Sequence, residues 1–431
     1  MSDPRPSSQP CCGEFAAVSR RGVLRGTALA GAVAAFGGAV VRTSTAFAAP
    51  GSSLAAAGTT PASSVLVVLS LRGAADGLSL VVPHADPAYY RARPRISIAA
   101  STLLAKDAMF GLHPSFAPLM PLWTAGKVAA VHATGLPAPN RSHFSAMEEL
   151  EDAAPGSTVR EGWLNRLLGQ DTISHPLQGV GVGDGVVPTS LYGDQAVTTL
   201  RSPETLQLAG DDQWDTFKGR RRSVENLWAS SRVSLGTGVR SALAAIDDFA
   251  PVKAVTATPA NGAAYPGGDL GAALKHTARI IKGDVGAKII TVDQGDWDMH
   301  SDAGTLAWGG MKSNVAALAS GIAALFTDLG TAGDKVTLVV LSEFGRRVRE
   351  NDNYGTDHGY GNVMFLAGAG VRGGRYYGSW PGLTDAADAD LLVTTDYRSV
   401  LSEVVTRRFG VSTAQVFPGF TPTRVGAMVG A

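Results

Sequence analysis

The sequence predicts an α/β fold with a mostly parallel central sheet and helices on both faces. Residues 65–71 form a continuous apolar run, which is typical of a strand buried on both sides. Similar runs recur along the chain with helical patterns between them, and this alternation favours a covered sheet. The apolar runs are 65–71, 128–132, 287–292, 336–341 and 362–366, and the helical patterns are 144–152, 270–281 and 305–329.

Residues 1–48 are predicted to be a twin-arginine signal peptide. The pair Arg20-Arg21 precedes a Gly/Ala-rich apolar run at 26–41, and the small-x-small sequence Ala46-Phe47-Ala48 offers a cleavage site. The apolar run is shorter than the ~20 residues that a spanning helix needs. We therefore expect export by the twin-arginine machinery to the periplasm or beyond, with no membrane span in the mature form. A retained N-terminal anchor is the alternative.

The rest of the chain is expected to be one domain behind a flexible linker. Residues 49–64 are rich in Ser, Ala, Gly and Pro without hydrophobic periodicity, as in a linker. Residues 65–431 then form a single α/β domain, interrupted near 214–250 by a helical insertion.

Cysteine content and charge exclude several functions. Both cysteines, Cys11 and Cys12, lie in the predicted signal, so the mature chain has no thiol nucleophile, thiolate metal site or disulfide. The signal also removes five of the 37 basic and two of the 37 acidic residues. The remaining chain is slightly acidic, and we expect no nucleic-acid partner.

Polar residues follow several of the predicted strands, where open α/β sheets place their sites. Asp76 follows the run at 65–71, and Ser142 follows the run at 128–132 after a loop. Asp298 follows the run at 287–292, and Glu343 follows the run at 336–341. The sequence predicts that these side chains meet at one edge of the sheet.

Two short clusters pair a carboxylate with an imidazole. Asp298 and His300 lie two positions apart and would point the same way in an extended segment. Asp357 and His358 are adjacent, so both can face a site only from an irregular loop. Carboxylate oxygen with imidazole nitrogen is a ligand set suited to zinc, manganese or iron.

Ser142 has two interpretations. It is either the N-cap of the helix that follows or a nucleophile, because a helix N-terminus favours negative charge and a metal ion lowers the pKa of a hydroxyl. Asn140 and Arg141 are close enough in sequence to hold an anion. His143 is either structural or part of the same site. The remaining histidines are expected to be structural or exposed, namely His84, His113, His132, His175 and His276.

Seven motifs, taken in order, resemble those of the uncharacterised domain family 1501. They cover nearly all of the predicted mature chain, and relatives of this family resemble the alkaline phosphatase and sulfatase superfamily. The motifs are LRGAADGL at 71–78, RSHF at 141–144, DWDMH at 296–300, SEFGR at 342–346, GTDHG at 355–359, TTDYR at 394–398 and VFPGF at 416–420.

The resemblance implies two metal ions bridged by a phosphoryl or sulfuryl group. Asp298, His300 and His358 would hold the first ion. Asp76 and Ser142 would serve the second, but Glu343 is followed by Phe344 where the superfamily has histidine. That departure implies either one ion or a harder second ion such as magnesium or calcium. Asp357 is an alternative ligand for either ion.

The sequence leaves open whether the protein is an enzyme. One hypothesis is an exported metal-dependent hydrolase of phosphate or sulfate esters that uses Ser142 as nucleophile, with Arg141 and His143 beside it. Its substrate would be a small or polymer-borne anionic ester. The other hypothesis is a secreted binding or surface-assembly protein that retains the fold without catalysis.

Overall fold

The computed structural model describes residues 32–36, 39–43, 59–172, 174–210, 217–230 and 234–430. The arginine pair, the predicted cleavage site and residues 49–58 of the linker lie outside these ranges. Strands Ala32–Phe36 and Ala39–Thr43 fall within the predicted signal, and the second pairs antiparallel with Val197–Leu200 at the sheet border. The signal peptide and export stay predictions.

Eleven of the described strands form one sheet, in the order β1-β2-β8-β7-β9-β3-β10-β13-β6-β14, with β15 also paired to β6. Two small antiparallel pairs, β11 with β12 and β4 with β5, lie apart from it. The strands are β1 Ala32–Phe36, β2 Ala39–Thr43, β3 Val65–Leu71, β4 Val81–Val82, β5 Gly111–Leu112, β6 Val128–Gly135, β7 Gly179–Val182, β8 Val197–Leu200, β9 Ile289–Gln294, β10 Val336–Leu341, β11 Arg346–Glu350, β12 Thr356–His358, β13 Asn362–Gly368, β14 Arg375–Tyr377 and β15 Thr395–Asp396.

The centre of the sheet is mostly parallel, as the sequence predicts. β3 pairs in parallel with β9 and β10, and β9 pairs in parallel with β7. β13 is the exception, because it runs antiparallel between β10 and β6. The carboxyl ends of β3, β6, β9 and β10 therefore share one edge, and β13 begins at that same edge.

Helices cover both faces of the sheet, which confirms the predicted α/β class. The α-helices are α1 Gly77–Leu80, α2 Pro87–Ala92, α3 Met120–Thr124, α4 His143–Asp152, α5 Trp163–Leu168, α6 Gly219–Trp228, α7 Ser234–Asp248, α8 Ala250–Ala254, α9 Asp269–Gly283, α10 Gly310–Leu329, α11 Tyr397–Phe409 and α12 Thr413–Val416. Short 3-10 helices span Pro114–Leu119, Thr189–Leu191, Pro203–Thr205 and Gly330–Lys335. The predicted insertion near 214–250 contains α6 and α7 among its described residues.

Alternation along β3 divides the core between the two faces. Val67 and Leu69 join the apolar cluster that includes residues of α9 and α10. Leu66 and Val68 face the other way and join the cluster that includes residues of α5 and α11. Burial of both faces explains why six of the seven residues of β3 are apolar, Ser70 being the exception.

One stretch, Gly310–Lys335, is long and apolar enough to cross a membrane by length and composition. Half of its most apolar window is buried inside the fold. Its buried residues, among them Val315, Leu318 and Ile322, belong to the apolar cluster on one face of the sheet. This packing is that of a core helix.

Candidate metal centre

Four residues with metal-binding side chains meet beyond the shared edge of the sheet. Asp298 and His300 follow β9, His143 is the first residue of α4, and His358 ends β12. Ligand atoms of His143, Asp298 and His358 lie within 4.8 Å of one another. The strand-end rule thus brings together residues separated by more than 200 positions.

The contacts converge on a single oxygen atom, Asp298 Oδ1. The Nε2 atoms of His300, His358 and His143 lie 3.2, 3.3 and 3.6 Å from it. The Nε2 atoms of His300 and His358 are also 2.9 Å apart. The sequence predicted Asp298, His300 and His358 as one ligand set, and the structure places them together.

Each imidazole is oriented through its other ring nitrogen. In all three rings Nδ1 lies 2.9 Å from an oxygen that can only accept a hydrogen bond, so Nδ1 carries the proton in the neutral ring. This leaves the Nε2 lone pairs facing the same point near Asp298. The pairs are His143 with Glu343 Oε1, His300 with Asp357 Oδ1 and His358 with the Arg141 carbonyl oxygen.

This arrangement requires positive charge between the rings. Two neutral imidazoles whose lone pairs face each other at 2.9 Å repel unless a cation or a proton lies between them. Metal-bound histidines in proteins characteristically donate their second N–H to a carboxylate or carbonyl. Three Nε2 atoms and one carboxylate oxygen fit zinc, manganese or iron. The residues therefore fit the metal that the sequence predicts.

The pKa shifts of His143 and Asp298 also favour a cation at this site. Burial lowers the pKa of His143, but hydrogen bonds with Asp298 and Glu343 outweigh burial and raise it to about 9. Burial raises the pKa of Asp298, but His143, His358 and Arg346 hold it far below its usual range. Asp298 is thus an ionised carboxylate, and the site favours cations in the protein interior.

Arg346 supplies a fixed positive charge beside the group. Its side chain is fully buried, and one guanidinium nitrogen lies 2.6 Å from Asp298 Oδ1. The guanidinium also donates to the carbonyl oxygens of Ala74, Gly73 and Thr356. These bonds fix the guanidinium and orient Asp298. The sequence motif contained Arg346 but gave it no role.

Glu343 orients His143 and does not join the cluster that meets at Asp298. Its Oε1 atom accepts from His143 and from the Gly73 amide at 2.8 Å, and Oε2 lies 2.9 Å from Ser342 Oγ. Burial raises the pKa of Glu343, but its hydrogen bonds outweigh burial and lower it. Phe344 stacks on the His143 ring with centroids 5.1 Å apart.

The structure does not bring Asp76 into the cluster that meets at Asp298. Its Oδ1 lies 3.0 Å from Arg93, its Oδ2 lies 2.5 Å from the same guanidinium, and Ser79 Oγ donates to Oδ2 at 2.6 Å. Burial raises the pKa of Asp76, but Arg93 outweighs burial and lowers it. Arg93 already supplies the positive charge that the predicted second ion would bring.

Ser142 lies between two residues that contact the centre. The Arg141 carbonyl holds His358, and His143 contributes its own imidazole. Ser142 is exposed, and within the described residues its hydroxyl makes no capping hydrogen bond to α4. Asn140 Oδ1 instead accepts from the Ser142 amide at 3.1 Å. The N-cap interpretation of the hydroxyl therefore lacks its expected bond.

The centre opens into a cleft of about 740 Å³. Two of the site histidines and three arginines line it, together with acidic and neutral residues. The lining residues are Arg141, His300, Arg347, Arg349, Glu350, Asn351, Asp352, Asp357, His358, Ala387 and Asp388. A solute in this cleft reaches His300 and His358 directly. Asp357, which the sequence analysis gave as an alternative ligand, contacts the Nδ1 atom of His300 and not the Nε2 atom that faces Asp298.

Comparison with known proteins gives a family and distant structural similarity. The family model described as "Protein of unknown function (DUF1501)" matches residues 105–417. A structure titled "Crystal structure of Ps i-CgsB" is similar with 10% identity and a TM-score of 0.37, covering 83% of this chain and 74% of the other. A second, titled "Crystal structure of Ps i-CgsB in complex with k-i-k-neocarrahexaose", has 11% identity, a TM-score of 0.35 and the same coverage. No curated protein matches the sequence.

Proposed function

The chain belongs to the DUF1501 family, whose description names no activity, so its function must be argued from the site. We propose that the protein is an exported metal-dependent hydrolase of phosphate or sulfate esters. One observation carries the proposal: three imidazoles, each held through Nδ1, aim Nε2 at one ionised carboxylate. Twin-arginine export of the folded protein belongs to the same proposal.

In this proposal some residues bind the metal ion and others orient its ligands. His143, Asp298, His300 and His358 would hold a divalent ion, which supplies Lewis-acid stabilisation of the ester oxygens when bound. Glu343 and Asp357 keep two of the imidazoles in the ligand tautomer. The guanidinium of Arg346 keeps the Asp298 carboxylate ionised and in place.

Ser142 is the proposed nucleophile. Its hydroxyl gives up its proton and the oxygen forms a bond to the phosphorus or sulfur atom, while the bond from that atom to the ester oxygen breaks. The departing alkoxide takes up one proton and leaves as the alcohol. Water then hydrolyses the ester formed on Ser142 and restores the hydroxyl. Support comes from its position between Arg141 and His143 and from its exposed hydroxyl.

A binding protein without catalysis is the second candidate, and Arg346 is the observation that favours it. Its guanidinium, 2.6 Å from Asp298 Oδ1, already neutralises the only carboxylate among the four proposed ligands. In this alternative the imidazoles are charged or share protons, and the cleft binds an anion that it does not cleave.

The Ser142→Ala substitution separates the two candidates. For the hydrolase, we expect loss of turnover on a panel of aryl phosphates, phosphodiesters and aryl sulfates, with bound metal and melting temperature unchanged. Ser145→Ala is the matched control, because Ser145 is exposed on the same helix and its Oγ accepts from Asn140 at 2.9 Å. Wild-type turnover that survives in Ser142→Ala would reject the covalent mechanism. A wild type inactive on the whole panel would favour the binding protein.

A further inference from the structure

Asp390 lies on a segment beside the cleft that is hydrogen-bonded on both sides. The segment runs antiparallel to β11. The Val348 amide donates to the Ala389 carbonyl at 2.9 Å, and Arg347 and Asp390 form an isolated antiparallel β-bridge. On its other side the Gly361 amide donates to Leu391 at 2.8 Å. The Asp390 side chain is only 11% exposed. Its carboxylate is therefore largely buried behind the cleft, where the cleft-lining residues Arg141 and Arg347 contact it.

Two arginines from distant parts of the sequence share this carboxylate. Arg141 bonds Asp390 Oδ2, and Arg347 lies 3.1 Å from Oδ1. Arg347 also donates to the Asp388 carbonyl. Both guanidiniums remain partly exposed, 40% for Arg141 and 24% for Arg347, and both residues line the cleft. Asp390 thus sets the spacing of two cations that face solvent.

One carboxylate cannot neutralise two guanidiniums, so the pair keeps a net positive charge. A guanidinium has five N–H donors in a planar fork, and one shared carboxylate leaves several of them for a ligand.

Three of the four acidic residues that line the cleft are directed to groups other than these two arginines. Glu350 pairs with Arg95 at 2.6 Å, and Asp357 bonds His300. Asp352 is fully exposed and lies 4.0 Å from Arg95. Asp388 is the remaining acidic lining residue, and its backbone carbonyl accepts from Arg347.

We propose that Arg141 and Arg347, oriented by Asp390, form a two-arginine clamp for a tetrahedral oxyanion. The Arg141 carbonyl oxygen accepts from His358 Nδ1 at 2.9 Å, so a residue of the clamp also orients one of the candidate ligands. An oxyanion in the clamp therefore lies in the same cleft that His300 and His358 line. That this oxyanion is the phosphate or sulfate group of the substrate rests on the proposed function. Asp390 acts as a positioning residue.

The test is calorimetric titration of the full chain with inorganic phosphate and with inorganic sulfate, both metal-loaded and after chelation. Arg347→Ala should weaken binding about tenfold, the effect of losing hydrogen bonds to a charged group. Arg347→Lys should weaken it nearly as much, because an ammonium lacks the planar fork. Arg349→Ala is the matched control. Arg349 is exposed, lines the cleft and lies two positions after Arg347 in β11, but it is not paired with Asp390. The substitution therefore removes the same charge, and it should change the affinity by less than about threefold.

Asp390→Asn gives an effect of opposite sign for the two explanations. Removing a negative charge strengthens anion binding if only net charge matters, whereas loss of orientation weakens it if the clamp is real. We expect weaker binding by about five- to tenfold. Tighter binding in Asp390→Asn, or equal losses in Arg347→Ala and Arg349→Ala, would overturn the clamp. If Asp390→Asn does not fold, Arg347→Lys and Arg349→Lys are compared instead. The clamp predicts weaker binding in Arg347→Lys than in Arg349→Lys, and equal binding in the two variants would overturn it.

These experiments can reject the clamp without rejecting the hydrolase, and the hydrolase without rejecting the clamp. Phosphate or sulfate affinity that follows the predicted order, without turnover of any ester, would keep the clamp and reject the hydrolase. Turnover that depends on Ser142 but is indifferent to Arg347 and Asp390 would keep the hydrolase and overturn the clamp.

Discussion

Replacing Asp76 by asparagine distinguishes a structural ion pair from a second metal site. Asp76 and Arg93 are both buried, with side-chain exposures of 4% and 0%. Removing one partner of such a pair leaves an uncompensated buried charge, which costs about 3–5 kcal/mol. Arg93 would keep its bonds to the carbonyls of Val348 at 2.8 Å and Arg347 at 3.0 Å. We therefore expect the lower end, a loss of about 3 kcal/mol in the free energy of unfolding.

Urea unfolding and elemental analysis should be performed on the same preparations of Asp76→Asn. We expect the transition to move to lower urea while the metal content stays at the wild-type value. The double variant Asp76→Asn/Arg93→Gln removes both charges, so it should be less destabilised than the sum of the single losses. Unchanged stability with a lower metal content would refute the ion-pair interpretation and restore Asp76 as a ligand.

Two further predictions concern the buried histidines His143 and His132. Glu343→Gln removes the charge that orients His143, and the metal affinity measured by competition with a chelator should fall about 10- to 100-fold. An unchanged affinity would mean that His143 is not a ligand. Burial lowers the pKa of His132 to about 4, so the folded state binds fewer protons than the unfolded chain between pH 6.5 and 4. Stability should therefore fall as the pH drops through this window, and His132→Gln should flatten that dependence by up to about 3 kcal/mol. Parallel pH profiles for wild type and variant would contradict this assignment.

The central strands were predictable because burial on both faces favours runs in which nearly every residue is apolar. Val65–Leu71 and Val336–Leu341 have the bounds that the sequence predicts. Gly179–Val182 and Val197–Leu200 were missed, since both are short and one alternates glycine with valine. Strands of this kind are fixed by pairing with their neighbours, and a single sequence does not record pairing.

Two of the four candidate ligands, Asp298 and His300, were predictable for a different reason. Asp298 and His300 follow a strand, and the carboxyl ends of parallel strands share an edge. The partners of these residues were not predictable. Glu343 meets His143 across 200 positions, and Arg141 meets Asp390 across 249. Asp76 fitted a metal ligand by position, but Arg93 pairs with it from a segment without any pattern that links the two.

Metal analysis of the protein from its native compartment tests the account most directly. The wild type should contain stoichiometric zinc, manganese or iron, and a chelator should lower its melting temperature because binding to the folded state stabilises it. Asp298→Ala, His300→Ala and His358→Ala should each lose the metal, whereas His175→Ala should keep it because His175 pairs with Asp248. Wild-type protein without stoichiometric metal, and with a melting temperature unchanged by chelator, would contradict the account.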